Sequence, residues 1–219
     1  MILFGASGMV GAGVLLACLQ DPSVSEVLSV SRRSLGRSDS KLREILLPDV
    51  GNLSSVEDRL TGYDACFFCL GVSSAGMNEA EYRRVTYDLT LSAARTLSRL
   101  DPGMTFVYVS GAGTDSSERG RSMWARVKGK TENDLLNLPF KAAYMFRPGI
   151  IRAKHGLRSR TKFYRVLYAV LLPVVLLASV VAPKSVTSTD SVGRAMIHVA
   201  QRGAPNRILS TRQINELAV

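Results

Sequence analysis

The chain has 219 residues, 46% of them hydrophobic, with 18 Gly, 8 Pro and only 3 Cys. That length supports one domain with a substantial core, and the composition excludes disorder, a fibrous repeat and a disulfide scaffold. The net charge of +10 is concentrated: residues 1–118 carry −4, residues 119–165 carry +11 and residues 166–219 carry +3. One basic segment, rather than a broad basic face, gives no reason to expect nucleic acid as a partner.

Residues 1–4 read as a first strand, followed by glycine-rich sequence and a helix over 9–19. Strands follow at 27–30 and 44–47, a small helix at 54–60 and a fourth strand at 65–70. A long helix covers 79–100, where Val85, Leu89, Ala93 and Leu97 recur every four residues. A strand at 105–109, a helix at 122–138 and a strand at 142–146 complete the alternation. This order predicts an α/β fold of the Rossmann type, a doubly wound parallel sheet with helices on both faces. Further on, residues 190–200 form a helix capped by Thr189 or Asp190. Ser210 with Gln213 makes a capping box for a last helix at 211–217. No Pro- or Gly-rich linker divides the chain, so residues 1–219 are expected to form a single domain.

Cys66 and Cys69 have C-x-x-C spacing but fall in the fourth strand, where residues three apart point to opposite faces. With His155 and His198 as the only histidines, no metal site is expected. Three unpaired thiols and a start that runs from Met1 straight into Ile2-Leu3-Phe4-Gly5, with no basic leader, predict a cytoplasmic protein.

Gly5-Ala6-Ser7-Gly8-Met9-Val10-Gly11 follows the first strand and opens the first helix. Gly5 permits the tight turn, Gly8 lets backbone approach a pyrophosphate, and Gly11 lets the helix pack closely. The helix N-terminus then offers free N–H groups to the anion. The second strand ends in Val30-Ser31-Arg32-Arg33-Ser34, where an NAD site tends to carry Asp or Glu. Guanidinium groups suit a 2′-phosphate, so NADP is favoured over NAD, the alternative being a solvated basic loop.

The G-x-x-G-x-x-G spacing resembles the short-chain dehydrogenase/reductase superfamily. Cys69-Leu70-Gly71, the Arg84-Val85…Asp88 stretch, Val127-Lys128-Gly129-Lys130-Thr131-Glu132 and Phe146-Arg147-Pro148-Gly149 narrow the resemblance. They are similar to its atypical branch, the NAD-dependent epimerase/dehydratase-like family. That branch includes a human Tat-interacting oxidoreductase-like protein and its bacterial relatives. The resemblance implies that Asp49 and Val50 lie beside the adenine and that Leu70 and Gly71 let the cofactor pass. It further implies that Arg147, Pro148 and Gly149 line the nicotinamide, and that residues 150–219 form a small helical cap on the substrate side. A turn cap is the alternative reading of Asp49.

The resemblance also assigns a catalytic group: Ser110 after the fifth strand, and a Tyr-x-x-x-Lys pair four residues apart on the next helix. Here Trp124 stands at the Tyr position and Lys128 at the Lys position, where the resemblance implies that Lys128 also binds the cofactor ribose without needing the Tyr. Indole donates an N–H but is neither acid nor base near neutral pH. Gly111 stands where the branch often has a second Ser. Two readings follow: an NADP-dependent oxidoreductase or epimerase-like enzyme of a small-molecule substrate, and a non-catalytic NADPH sensor or scaffold. In the first, Ser110, Thr114, Ser116 or water supplies the proton.

Residues 166–183 contain no charge and follow Arg152, Lys154, Arg158, Arg160, Lys162 and Arg165. Cap or core helices, a homodimer face or peripheral membrane contact, and a true span are the readings of this stretch. The membrane reading would place the protein peripherally at the inner membrane face.

Overall fold

A computed structural model describes residues 1–153 and 186–219. The chain opens with β1 (Ile2–Phe4), α1 (Met9–Gln20), β2 (Val27–Ser31) and β3 (Leu42–Leu46). After a 3-10 turn at Ser54–Arg59 come β4 (Ala65–Phe68), α2 (Glu79–Arg83), a π turn at Arg84–Asp88 and α3 (Leu89–Leu100). Then follow β5 (Thr105–Val109), α4 (Met123–Leu136), β6 (Ala142–Arg147) and β7 (Ile150–Arg152). The remainder comprises β8 (Val186–Ser188), α5 (Thr189–Arg202), β9 (Ile208–Ser210) and α6 (Thr211–Leu217).

Seven strands form one parallel sheet in the order β3-β2-β1-β4-β5-β6-β9. The order reverses between β1 and β4, which opens a crevice at the carboxyl ends of those strands. The Rossmann-type fold expected from the alternating pattern is the one observed. Both faces of the sheet are buried. Leu3, Val27, Phe67, Val107 and Phe146 face α1, α5 and α6 with Val14, Met196 and Ile214. Ile2, Phe4, Phe68, Phe106 and Tyr108 face the other layer with Leu91 and Leu97. Cys66 belongs to that second layer while Cys69 packs against the first, as the strand period requires.

Two elements differ from expectation. Residues 79–100 are not one regular helix, because the π turn inserts between α2 and α3. Its Tyr87 hydroxyl donates to Asp134 on α4. The helix near 190 is capped by Ser188, whose side chain accepts from the Ser191 N–H, and not by Thr189 or Asp190. Ser210 and Gln213 do form the capping box of α6.

Residues 186–219 supply β8, which pairs with β7 in a separate two-stranded sheet, β9 of the main sheet, and α5 and α6. Residues 154–185, including the apolar stretch and most of its basic flank, lie outside the described residues. No helix among the described residues is long and apolar enough to cross a membrane.

Helices α1 and α5 approach closely because glycine faces the partner on each side. A Cβ at Gly13 would lie 2.4 Å from the Thr189 Cβ, and one at Gly193 would lie 2.6 Å from the Ala17 Cβ. On an open helix face, Gly→Ala stabilises by about 1 kcal/mol. Here the sign reverses: Gly193→Ala is expected to cost roughly 1–3 kcal/mol through overpacking, measured as a lowered midpoint in thermal or urea unfolding.

Candidate functional site

The turn from β1 into α1 is built by backbone contact. Gly5 has φ +80°, and a Cβ there would sit 2.8 Å from the Cys69 and Leu70 backbone. A Cβ at Gly11 would lie 2.1 Å from the Gly5 carbonyl oxygen. Gly11 therefore packs the helix onto the turn itself, not onto the strand. Gly8 is the N-cap of α1 and makes no side-chain cap bond, and the first turn holds no acidic residue. Its positive end is thus left without a side-chain counter-charge, a geometry suited to an anion.

Beside this turn lies a cavity of about 350 Å³ lined by Gly5, Ser7, Val30, Ser31, Arg32, Arg33, Val50 and Leu70. It sits at the crevice where the sheet order reverses. The Ser31 hydroxyl donates to the Arg33 carbonyl at 2.7 Å, which shapes the loop after β2. Both guanidinium groups belong to exposed residues at the rim. Asp49 is not among the lining residues. Its carboxylate accepts from the Gly51 N–H at 2.9 Å, so it caps a turn. Gly71 is exposed, and a Cβ there would meet nothing within 4 Å. Met9 and Val10 lie in the first turn of α1.

The second part of the site is at the end of β5. The Ser110 N–H donates to the Phe146 carbonyl at 2.8 Å, which extends the pairing with β6. The Ser110 and Thr114 hydroxyls are 2.9 Å apart, and Thr114 donates to the Gly111 carbonyl at 2.8 Å. A carbonyl only accepts, so the single Thr114 proton goes there and Ser110 donates to Thr114. Lys128 Nζ donates to the Val109 carbonyl at 3.4 Å and lies 5.2 Å from the centre of the Tyr108 ring. Burial pulls the Lys128 ammonium down to about 8, against the opposing pull of Glu132. The Trp124 ring edge packs against Gly113, whose φ is +85°. Tyr108 and Tyr144 are both core residues. Burial pushes the Tyr108 phenol up, and the Tyr144 hydroxyl accepts from the Ala204 N–H at 3.0 Å.

Arg147 is held by its own fold. Its Nε donates to both carboxylate oxygens of Glu132 at 3.0 Å, and its Nη2 reaches the Ser116 hydroxyl. Glu132 is fully buried, so this guanidinium neutralises an internal carboxylate. The Pro148 carbonyl accepts from the Ala112 N–H, and the Gly149 N–H donates to the Thr211 hydroxyl at 2.8 Å. Arg147 and Pro148 tie the loops after β5 and β6 together, and Gly149 ties the latter to the start of α6.

The loop between β5 and α4 is ordered by Asp115. Its carboxylate accepts from the Ser117 hydroxyl and from the N–H groups of Ser117, Arg119 and Gly120. Those bonds hold it below the usual carboxylate range. A Cβ at Gly129 would strike the Asp115 carbonyl at 1.8 Å, so the loop lies directly on α4. The structure thus brings Gly5, Ser7, Ser31, Arg32, Arg33, Val50 and Leu70 to one cavity, and Ser110 with Lys128 to the end of β5. Glu132 was missed as a site residue. Its signal was present: an acid four residues after Lys128 on the same helix face.

No protein-family model matches the chain. A protein of Emericella nidulans, "Protein fmp52, mitochondrial", is 31% identical over 156 residues, 68% of this chain and 65% of its own length. The chain's match therefore spans just under two thirds of that relative. "Protein FMP52-2, mitochondrial" of Scheffersomyces stipitis is 23% identical over 231 residues, covering 99% of this chain and 96% of its own.

Among solved structures, the Bordetella bronchiseptica enzyme WbmF in complex with NAD+ has a TM-score of 0.68 at 13% identity, over 99% of this chain and 75% of that one. A short chain dehydrogenase from Burkholderia cenocepacia in complex with NADP has a TM-score of 0.64 at 14% identity, over 95% and 86%. At these identities the structures bear on the fold alone.

The relatives' names overturn the cytoplasmic expectation, since each is called mitochondrial. The cysteine argument fails for a physical reason. Cys18 and Cys66 are buried and Cys69 nearly so, and burial pushes all three thiols up, Cys18 to about 12. Such thiols stay protonated and inert in any compartment, so they do not report on it.

Two outcomes test this geometry. Glu132→Ala leaves Arg147 without its buried partner and should cost about 3–5 kcal/mol of stability, whereas Gly71→Ala should be neutral, both read from urea unfolding. The Lys128 ammonium is disfavoured in the folded state, so the folded protein binds fewer protons than the unfolded chain between about pH 8 and the ordinary lysine value. Its burial penalty is therefore largest below pH 8 and shrinks as pH rises through that window. Lys128→Met should gain stability over the native protein at pH 7 and lose that advantage by pH 10.

Proposed function

We propose that the chain is an NADP-binding oxidoreductase or epimerase-like protein acting on a small-molecule substrate. One observation carries the reading. The cavity at the sheet reversal joins a glycine turn, at the uncapped N-terminus of α1, to Arg32 and Arg33 at its rim. The residues fit a dinucleotide: backbone N–H groups for the pyrophosphate, Val30, Val50 and Leu70 as apolar walls for the adenosine end, and two cations for a 2′-phosphate. When bound, such a cofactor supplies hydride chemistry. NADP is preferred over NAD on the two guanidinium groups.

The chain's own part in the reaction is to hold and orient. Gly5, Ser7 and the first turn of α1 position the pyrophosphate. Lys128 and Ser110 stand at the end of β5, where the nicotinamide end and a substrate oxygen would meet. Asp49 contributes through its turn, which sets Val50 in the cavity wall. The likeness to the human Tat-interacting oxidoreductase-like protein, a single domain over residues 1–219 and a homodimer remain parts of this proposal. The membrane-contact expectation rests on residues outside those described.

Trp124 favours a second reading, an NADPH-binding sensor or scaffold without chemistry. The two readings part on turnover. Purified protein that binds NADPH and oxidises it with any member of a carbonyl panel supports the first. Tight binding with no turnover, together with a cofactor-dependent change in oligomer size, supports the second.

Cofactor choice has its own test. Replacing both Arg32 and Arg33 with Ser should weaken NADPH binding roughly ten- to a hundredfold, the worth of charge-assisted bonds to a phosphate. NADH binding, titrated by nicotinamide fluorescence, should change little. Equal losses for both cofactors would remove the argument for NADP.

A further inference from the structure

We propose that Lys128 itself is the proton carrier of this site, giving its ammonium proton to the substrate oxygen in place of the missing phenol. The inference rests on the oxidoreductase reading above and deepens it.

The side chains at the end of β5 lead to it. There the Thr114 hydroxyl lies 2.8 Å from the Gly111 carbonyl and 2.9 Å from the Ser110 hydroxyl, so both hydroxyls are already engaged within the loop, and the Ser116 hydroxyl is engaged by Arg147. Trp124 carries an N–H that does not transfer near neutral pH. Tyr108 is fully buried in the second core layer, with its phenol pushed up by burial. Lys128 remains. Its Nζ is fixed on the carbonyl of Val109, the residue before Ser110.

The groups facing Lys128 come from each neighbouring element. Glu132 lies one turn on along α4 and raises its proton affinity; Tyr108 on β5 presents its ring. Arg147 on β6 holds Glu132 through both carboxylate oxygens. Tyr82 on α2 interacts with Tyr108. Burial outweighs Glu132, which leaves an amine able to release its proton close to neutral pH and to regain it. An unperturbed lysine would hold that proton too tightly.

In the reductive direction, Lys128 breaks one N–H bond and forms the O–H bond of the product alcohol. A bound dihydronicotinamide would supply the hydride for the carbonyl carbon and would itself be oxidised, the C=O π pair moving to the oxygen that takes the Lys128 proton. The neutral Lys128 amine then recovers a proton from water. Glu132 is a positioning residue: it acts only through Lys128.

The test needs no known substrate at first. In lysine-labelled protein, the Lys128 side-chain resonance, assigned by its loss in Lys128→Arg, should titrate near 8. Glu132→Gln, which removes a negative neighbour, should move that midpoint lower. Lys128→Arg keeps a cation and a donor to Val109 but releases no proton, so NADPH affinity should change less than about tenfold. With NADPH and 9,10-phenanthrenequinone as the probe carbonyl, native turnover should fall above the same midpoint. Lys128→Arg should turn over at least about a hundredfold more slowly, in line with loss of a general acid.

A midpoint at the ordinary lysine value overturns the proposal. So does Lys128→Arg turning over like the native protein, or NADPH binding without native turnover. Failure to bind NADPH sinks the underlying oxidoreductase reading, and the proton role with it. If Glu132→Gln does not fold, the native titration and Lys128→Arg decide alone.

Discussion

The buried carboxylate of Glu132 is the constraint around which this side of the molecule is arranged. A fully buried carboxylate is costly unless its charge is matched and its oxygens are bonded. Arg147 meets both demands, with Nε at 3.0 Å from each oxygen. The pair joins α4 to β6, and the same guanidinium reaches Ser116 in the loop that crosses the end of β5. Three elements that carry the candidate site are thus fastened at one point. Lys128, one turn before Glu132, has its proton affinity lowered by burial and raised in part by that carboxylate.

This arrangement separates the site into two halves with different physics. The cofactor half is made of backbone. Close approach at Gly5 and Gly11 shapes a cavity with Arg32 and Arg33 at its rim. The other half is made of side chains at the end of β5, where the Ser110 and Thr114 hydroxyls bond each other and burial lowers the proton affinity of Lys128. Losing a tyrosine from this half does not empty it of proton chemistry. It transfers the question to the next ionisable group in reach.

The glycine turn and the alternation of strands and helices were legible because both are local. Three glycines at fixed spacing after a strand, and apolar runs alternating with helical patterns, need no knowledge of what lies across the fold. The Trp124 to Lys128 spacing was legible for the same reason, being one turn of α4. The ion pair of Arg147 was not legible, because its partner Glu132 is found only across the fold. Asp49 shows the reverse. A local turn explains it fully, and the family role assigned to it is not needed for its geometry.

By itself, then, the sequence determined the parallel α/β architecture, the place of the phosphate cradle and the absence of a phenol at position 124. Tertiary structure decided which strands neighbour one another, which charges are internal and which are free, and where each hydroxyl proton points. It also decided that Gly13 and Gly193 serve the packing of α1 on α5 rather than any turn. The reason is range. Backbone conformation and period are set within a few residues, whereas the proton affinity of Lys128 depends on burial and on charges that only folding brings together.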